Sequence, residues 1–239
     1  MRSVLLINPN TNRAMTQQMA KAAARCLPEG VALQALTADF GFPVIATRVS
    51  FAIAAHAVLD TYARSPDVHD AVVIGCFGDP GLEALREIAS EPVFALAESS
   101  ILAADARGEP FAILTLGEAW IDMLTERAKL AAVKAPFIGV FAGEGTGLDA
   151  ERQDMALARR LERQAREAIS AGARTLILGG GALAGMASRL NIDAVLIDCM
   201  EATMRLAIAP ARPALRRRQP TQPSGLTEHL TKRLIDAAA

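Results

Sequence analysis

The amino-acid sequence predicts an α/β protein built on parallel sheets, in two similar halves that face each other across a cleft. Three observations carry that reading. Short apolar runs with few charges recur eight times, as strands buried on both faces require. Stretches with helical spacing separate them, and the runs fall into two sets of four that begin near Ser3 and near Phe111. Hydrophobic residues make up 51% of the 239, enough for a large core. In such sheets ligands bind beyond the carboxyl ends of the strands. Function is therefore sought just after each run.

The first run, residues 3–7, stops at Asn8. Pro9 biases Asn8 away from helical geometry, so the strand ends extended with that side chain expected to face the cleft. Asn10, Thr11 and Asn12 follow where a helix begins, and Thr11 or Asn12 suits its cap. Amides donate to a carboxylate or imide and accept from an amine without the desolvation cost of a charge, so Asn8 and Asn10 are candidate ligand contacts. The helix carries Met15, Met19, Ala22, Ala23 and Cys26 on one face. A strand at 31–36 follows, and then Arg48, a candidate for bidentate grip on a carboxylate. The next helix aligns Phe51, Ala54, Ala55, Val58, Leu59 and Tyr62. The strand at 71–75 runs directly into Cys76, Phe77 and Gly78. Asp79 and Pro80 suit the cap and first position of a helix whose apolar face is Leu82, Leu85, Ile88 and Ala89. The fourth strand is expected at 93–97, just before Glu98.

The second half repeats the order, with strands expected at 111–115, 137–141, 175–178 and 194–197. A long helix is expected at 151–171, capped by Asp149. Beyond Pro210, four prolines enclose Arg216, Arg217 and Arg218, which reads as a solvated tail. A short helix is expected at 226–238.

A net charge of -1 and a pI near 6.3 give no long-range attraction to nucleic acid or an anionic membrane surface. The opening apolar run is too short for a signal-peptide core and no stretch approaches a membrane span, so the expected location is cytoplasmic. Three dispersed cysteines, Cys26, Cys76 and Cys199, are too few for a disulfide framework or a zinc site. His56, His69 and His229 lack paired spacing, so no metal is expected and surface roles are assigned to them. The pattern Gly179-x-Gly181-x-x-x-Gly185 with Asp198 is a variant of a dinucleotide fingerprint, but too little chain follows it for the usual nucleotide-binding halves.

The sharpest chemical signal is Cys76. It sits at a strand-to-helix turn between glycines, where backbone N–H groups and the positive helix end are expected to lower a thiol's pKa and produce a base or nucleophile. Cys26, on a core face, reads as a small apolar filler.

"LLINPNTN" at the start and "GCFGDPGLEAL" around Cys76 resemble the hydantoin racemase branch of the aspartate/glutamate racemase superfamily, over roughly residues 1–206. The resemblance implies two Rossmann-like domains related by a pseudo-twofold axis, here 1–96 with 199–239 and 97–198. It also implies an inter-domain site for a small-molecule substrate, no cofactor, a homo-oligomer, and two cysteines on opposite faces of a stereocentre. Cys76 matches the first. The stretches "VFALAES" and "TLGEAW" are similar to cleft-lining segments, which brings in Glu98, Thr115 and Gly117. The second cysteine is missing: "LILGGGALAGMA" puts Gly180 or Gly181 in its place, within a turn from Gly179 to Gly181 that offers N–H groups to an oxyanion. Three readings stay open. Cys199 supplies the other thiol; Asp198, Glu98 or water does so; or the protein is a single-cysteine lyase or hydrolase on a hydantoin-like ring. A binding protein without turnover is the non-enzymatic alternative.

Overall fold

A computed structural model describes residues 2–65, 67–150, 152, 154–209 and 225–238. In the first half β1 (Ser3–Asn8), α1 (Arg13–Ala24), β2 (Ala32–Thr37), α2 (Arg48–Arg64), β3 (Ala71–Ile74), α3 (Leu82–Ile88), β4 (Val93–Ala95) and α4 (Leu96–Asp105) follow in turn. The second half comprises β5 (Phe111–Leu116), α5 (Trp120–Leu130), β6 (Phe137–Gly143), α6 (Gly147–Ala150), α7 (Met155–Ser170), β7 (Thr175–Leu178) and β8 (Val195–Asp198). Two more helices, α8 (Cys199–Ala207) and α9 (Glu228–Ala238), close the chain.

The strands form two four-stranded parallel sheets, ordered β2-β1-β3-β4 and β6-β5-β7-β8. The same order in both halves makes β3 and β7 equivalents, each beside a central strand. Their sequences, AVVI and TLIL, are buried throughout, as strands covered by helices on both faces must be. Side-chain caps set several helix starts: Asn12 accepts from the Met15 N–H at 3.1 Å, and Thr47 and Ser50 form a reciprocal capping box on α2. Helix α8 packs against α4 and α1, whereas α9 returns to the first half, against α2 and α3. Leu230 of α9 is buried there in one cluster with Leu5, Val58 and Tyr62.

The sequence reading misplaces several boundaries for identifiable reasons. The strand expected at 93–97 stops at Ala95, and Ala97 already belongs to α4; the apolar run continues across the junction without a break. The helix expected at 151–171 starts at Met155, with Asp154 as its cap; Asp149 instead accepts from the Thr146 N–H at 2.7 Å. Helix α3 is capped by Gly81 in a left-handed conformation, not by Asp79, because a Cβ at position 81 would lie 2.9 Å from the Ala55 carbonyl oxygen. His69, expected at the surface, is buried, with Nε2 3.4 Å from the Ser65 hydroxyl. The arginine triplet 216–218 lies outside the described residues. No described helix is long and apolar enough to cross a membrane.

Candidate functional site

A cavity of about 70 Å3 lies between the two halves, at the carboxyl ends of β3, β5 and β7. Its lining brings together Asn10, Cys76, Phe77, Thr115 and the turn Gly179 to Gly181, all expected at a site from sequence. The rest of the wall is mainly apolar: Met15, Val44, Ile45, Leu116, Trp120 and Leu183. Sites that bury drug-sized ligands usually exceed about 300 Å3, so a ring enters this one only if the wall yields.

Two strand ends shape it in the same way. The Gly75 N–H makes the last bond of the first sheet, to the Ile7 carbonyl at 2.8 Å, and the Gly179 N–H makes its counterpart to Leu114 at 2.8 Å. One residue further on stand Cys76 and Gly180. The N–H groups of Cys76, Phe77 and Gly181 find no acceptor among the described residues, whereas the Gly180 N–H is aimed at the Cys199 sulfur. Buried backbone donors are almost always paired, so three open ones beside a cavity are an invitation to acceptor oxygens.

The glycine turn is held from behind. The Thr115 hydroxyl donates to the Gly179 carbonyl at 2.7 Å, and the Gln164 amide donates to the Thr115 carbonyl at 3.0 Å. Cys199 is fully buried, does not line the cavity, and its thiol lies 3.6 Å from the Gly180 carbonyl. As a candidate opposite-face thiol it is therefore displaced: the sulfur braces the turn from the far side. Burial pushes this thiol above its usual range, with Asp198 adding to the effect. Asp198 itself caps α8 and accepts from the Gly185 N–H at 2.6 Å.

Cys76 does line the cavity, yet its surroundings reverse the expected electrostatics. Ile45 and Ala54 pack on it, with Phe51 and Trp120 against the same cluster. Burial pushes the thiol up, and the Asp79 carboxylate pushes it further the same way. The group is therefore a neutral thiol at neutral pH.

The remaining candidates are engaged elsewhere. Asn8 is fully buried and does not reach the cavity; its amide donates to Asn10 Oδ1 at 2.8 Å, Thr16 Oγ1 at 2.8 Å and the Asn12 carbonyl at 3.1 Å. It organises the loop that presents Asn10. Glu98 pairs with Arg86 at 2.5 Å, and the Gly117 N–H extends the β5–β6 ladder to the Gly143 carbonyl at 2.8 Å. Arg48 is exposed and paired with Glu126 at 2.6 Å. Arg48 and Gly78 belong instead to a second hollow of about 390 Å3, walled off from the first by Phe51 and Trp120 against Gly78. Among the described residues no three His, Cys, Asp or Glu side chains are placed to hold a metal ion. Trp120 ends the "TLGEAW" stretch that the sequence marks as similar to a cleft-lining segment, whereas Met15 and Leu183 are missed because apolar side chains carry no chemical signature.

A family model described as Asp/Glu/Hydantoin racemase matches residues 4–207. The hydantoin racemase of Paenarthrobacter aurescens is 30% identical over 216 residues, covering 85% of this chain and 89% of its own length. The allantoin racemase of Pseudomonas fluorescens superposes with a TM-score of 0.80 at 26% identity, over 86% of this chain and 88% of that one. Allantoin racemase from Klebsiella pneumoniae gives 0.78, also at 26%, over 87% and 86%.

The three glycines of the turn differ in what they tolerate. A Cβ at Gly179 would lie 2.6 Å from the Phe77 ring and 2.8 Å from Ile113, whereas at Gly180 the nearest atoms are 3.3 Å away on the flexible Leu183 side chain. Gly179→Ala is expected to cost about 1–3 kcal/mol of unfolding free energy, and Gly180→Ala less than about 1 kcal/mol, measured by urea denaturation.

Proposed function

Because the chain belongs to the Asp/Glu/hydantoin racemase family, we propose that it moves a proton at the carbon beside a ring carbonyl of a hydantoin or closely related small molecule. Cys76 is the base. The observation that carries this reading is one cavity holding the Cys76 thiol and, among the described residues, three N–H groups without an acceptor, those of Cys76 and Phe77 from the first half and Gly181 from the second. Among the described residues no charged side chain lines the cavity, which suits an uncharged imide ring.

The chemistry follows from that wall. A thiolate at Cys76 takes the C5 proton; the electron pair moves onto the neighbouring carbonyl oxygen; and the N–H groups of Phe77 and Gly181 receive the developing charge. Asn10 supplies one amide for the ring edge. The wall opposite the thiol is Gly180, at the place that corresponds to Cys76 in the repeated topology. With no side-chain acid there, a water in the space beside Gly180 returns a proton to the second face and leaves hydroxide, which the Cys76 thiol then neutralises. Return of the proton by Cys76 itself gives exchange with retention. Protonation of one face only is also what a single-cysteine lyase needs, and Gly180 is the feature that favours this second reading.

The two halves act as domains in this proposal, 1–96 with 199–239 and 97–198, and the substrate lies between them. The assembly is proposed as a cytoplasmic homo-oligomer that requires no added cofactor.

Incubation of a 5-substituted hydantoin in heavy water separates the outcomes. The expected result is deuterium entry at C5, with slow inversion, abolished in Cys76→Ala. Gly180→Cys, which puts a thiol on the opposite face, is expected to raise inversion relative to exchange. A new product without C5 exchange establishes the lyase or hydrolase reading; equal exchange in Cys76→Ala removes the cysteine mechanism.

The raised thiol also fixes the sign of the pH dependence. Thiolate is the active form and burial disfavours it, so kcat/KM for exchange should still be rising above about pH 8.5, where an ordinary thiol is half ionised. A plateau reached below neutral pH contradicts a base held in an apolar cluster.

A further inference from the structure

The turn that carries Cys76 ends at Asp79, a carboxylate held by three donors. Its side chain is fully buried. One carboxylate oxygen accepts from the Ala97 N–H at 2.8 Å and the other from the Glu98 N–H at 2.8 Å, so Asp79 caps α4 from across the sheet. The second oxygen also accepts from Arg127 Nε at 3.0 Å. Arg127 lies on α5, in the other half of the chain, and is itself nearly buried. From there it also pairs with Glu83 of α3 at 2.7 Å and approaches Glu98 at 3.5 Å, while Arg86 of α3 holds Glu98 from the other side.

Asp79 adopts a left-handed backbone conformation, φ 59°, which a residue with a Cβ rarely takes. Such strain persists only where surrounding contacts over-determine it, and it collects at functional sites. Here the contacts are visible. The N–H groups of Gly78 and Asp79 both donate to the Cys76 carbonyl at 3.1 Å, so the bend that Asp79 anchors is the bend that aims Cys76. The anchor is fastened to the opposite half by Arg127.

We infer that Asp79 is a positioning residue for the Cys76 thiol, and that its ion pair with Arg127 ties the thiol's placement and charge environment to the closed arrangement of the two halves. The inference rests on Cys76 as the working group of the proposed reaction. Asp79 acts in two ways. It fixes the turn, and its negative charge disfavours a second one on the neighbouring sulfur. Burial lifts the Asp79 carboxyl to about 6 despite Arg127 and the two N–H groups, so it remains ionised over the alkaline range in which the thiol titrates.

The test reads the thiol directly. The rate of iodoacetamide addition to Cys76, located by mass spectrometry of its peptide, is followed against pH in the intact protein and in Asp79→Asn. Loss of the carboxylate charge should move the midpoint lower by about one pH unit. Since Asn cannot accept both α4 N–H groups, Arg127→Met and Arg127→Lys serve as variants that leave that cap in place. Arg127→Met should lower kcat for C5 exchange by about tenfold, with KM changed less than about twofold, and Arg127→Lys should recover part of the loss. An unmoved alkylation midpoint in a folded Asp79→Asn protein, or an undiminished kcat in Arg127→Met, overturns the inference. Alkylation needs no substrate, so a shifted midpoint in a protein inert towards hydantoins supports the inference and defeats only the substrate assignment.

Discussion

Where a parallel strand stops, its sheet can no longer pair the next N–H groups, and this molecule stops two equivalent strands at one cleft. The bonds from Gly75 to Ile7 and from Gly179 to Leu114 are the last rungs of their ladders. Everything at the site follows from what comes one residue later. Leaving a buried donor unpaired costs about 1–3 kcal/mol, so three of them at one cavity are offset by the packing of the rest of the fold. They acquire value only when acceptor oxygens occupy the space between them.

The two halves share this geometry but not its chemistry. After β3 the chain presents a thiol packed against Ile45 and Ala54; after β7 it presents glycine, braced through its carbonyl by the Cys199 sulfur and through Gly179 by Thr115. One wall therefore carries a titratable atom and the other carries only oriented peptide groups and space. That asymmetry distinguishes a proton-transfer site with one side-chain base from one with two, and it is built from the backbone outward. The chain belongs to the Asp/Glu/hydantoin racemase family. The stereochemical outcome depends on what fills the room beside Gly180.

Much of this architecture is legible in the sequence. All eight strands lie within two residues of where their apolar runs place them, because a strand buried on both faces has to be apolar along its length. Cys76 and Asn10 could be found because polar or small residues directly after such a run have few structural reasons to be there, whereas Thr115 and the glycine turn came in through the family resemblance. The failures share a cause: they concern partners distant in sequence. Asp79 looks like the cap of the helix beginning beside it, and instead caps α4 and pairs with Arg127 on α5. Arg48 looks like an anion contact until Glu126, on α5, is seen against it. Asn8 is the local exception: its place at the strand end suggests a ligand contact, but its near neighbours Asn10, Asn12 and Thr16 consume its amide. The thiol of Cys76 was expected to be lowered by a helix end, and an apolar cluster assembled from α2, α5 and the loop before α2 raises it instead.

The most direct measurement is a crystal structure of Cys76→Ala with a 5-substituted hydantoin bound. The account places the ring between positions 76 and 180, with a carbonyl oxygen within about 3.2 Å of a backbone nitrogen from each half and the C5 hydrogen aimed at the space the sulfur occupied. A ring bound in the hollow beside Arg48 and Glu126, or one whose carbonyl oxygens face solvent while the N–H groups of Cys76, Phe77 and Gly181 stay without an acceptor, would contradict it.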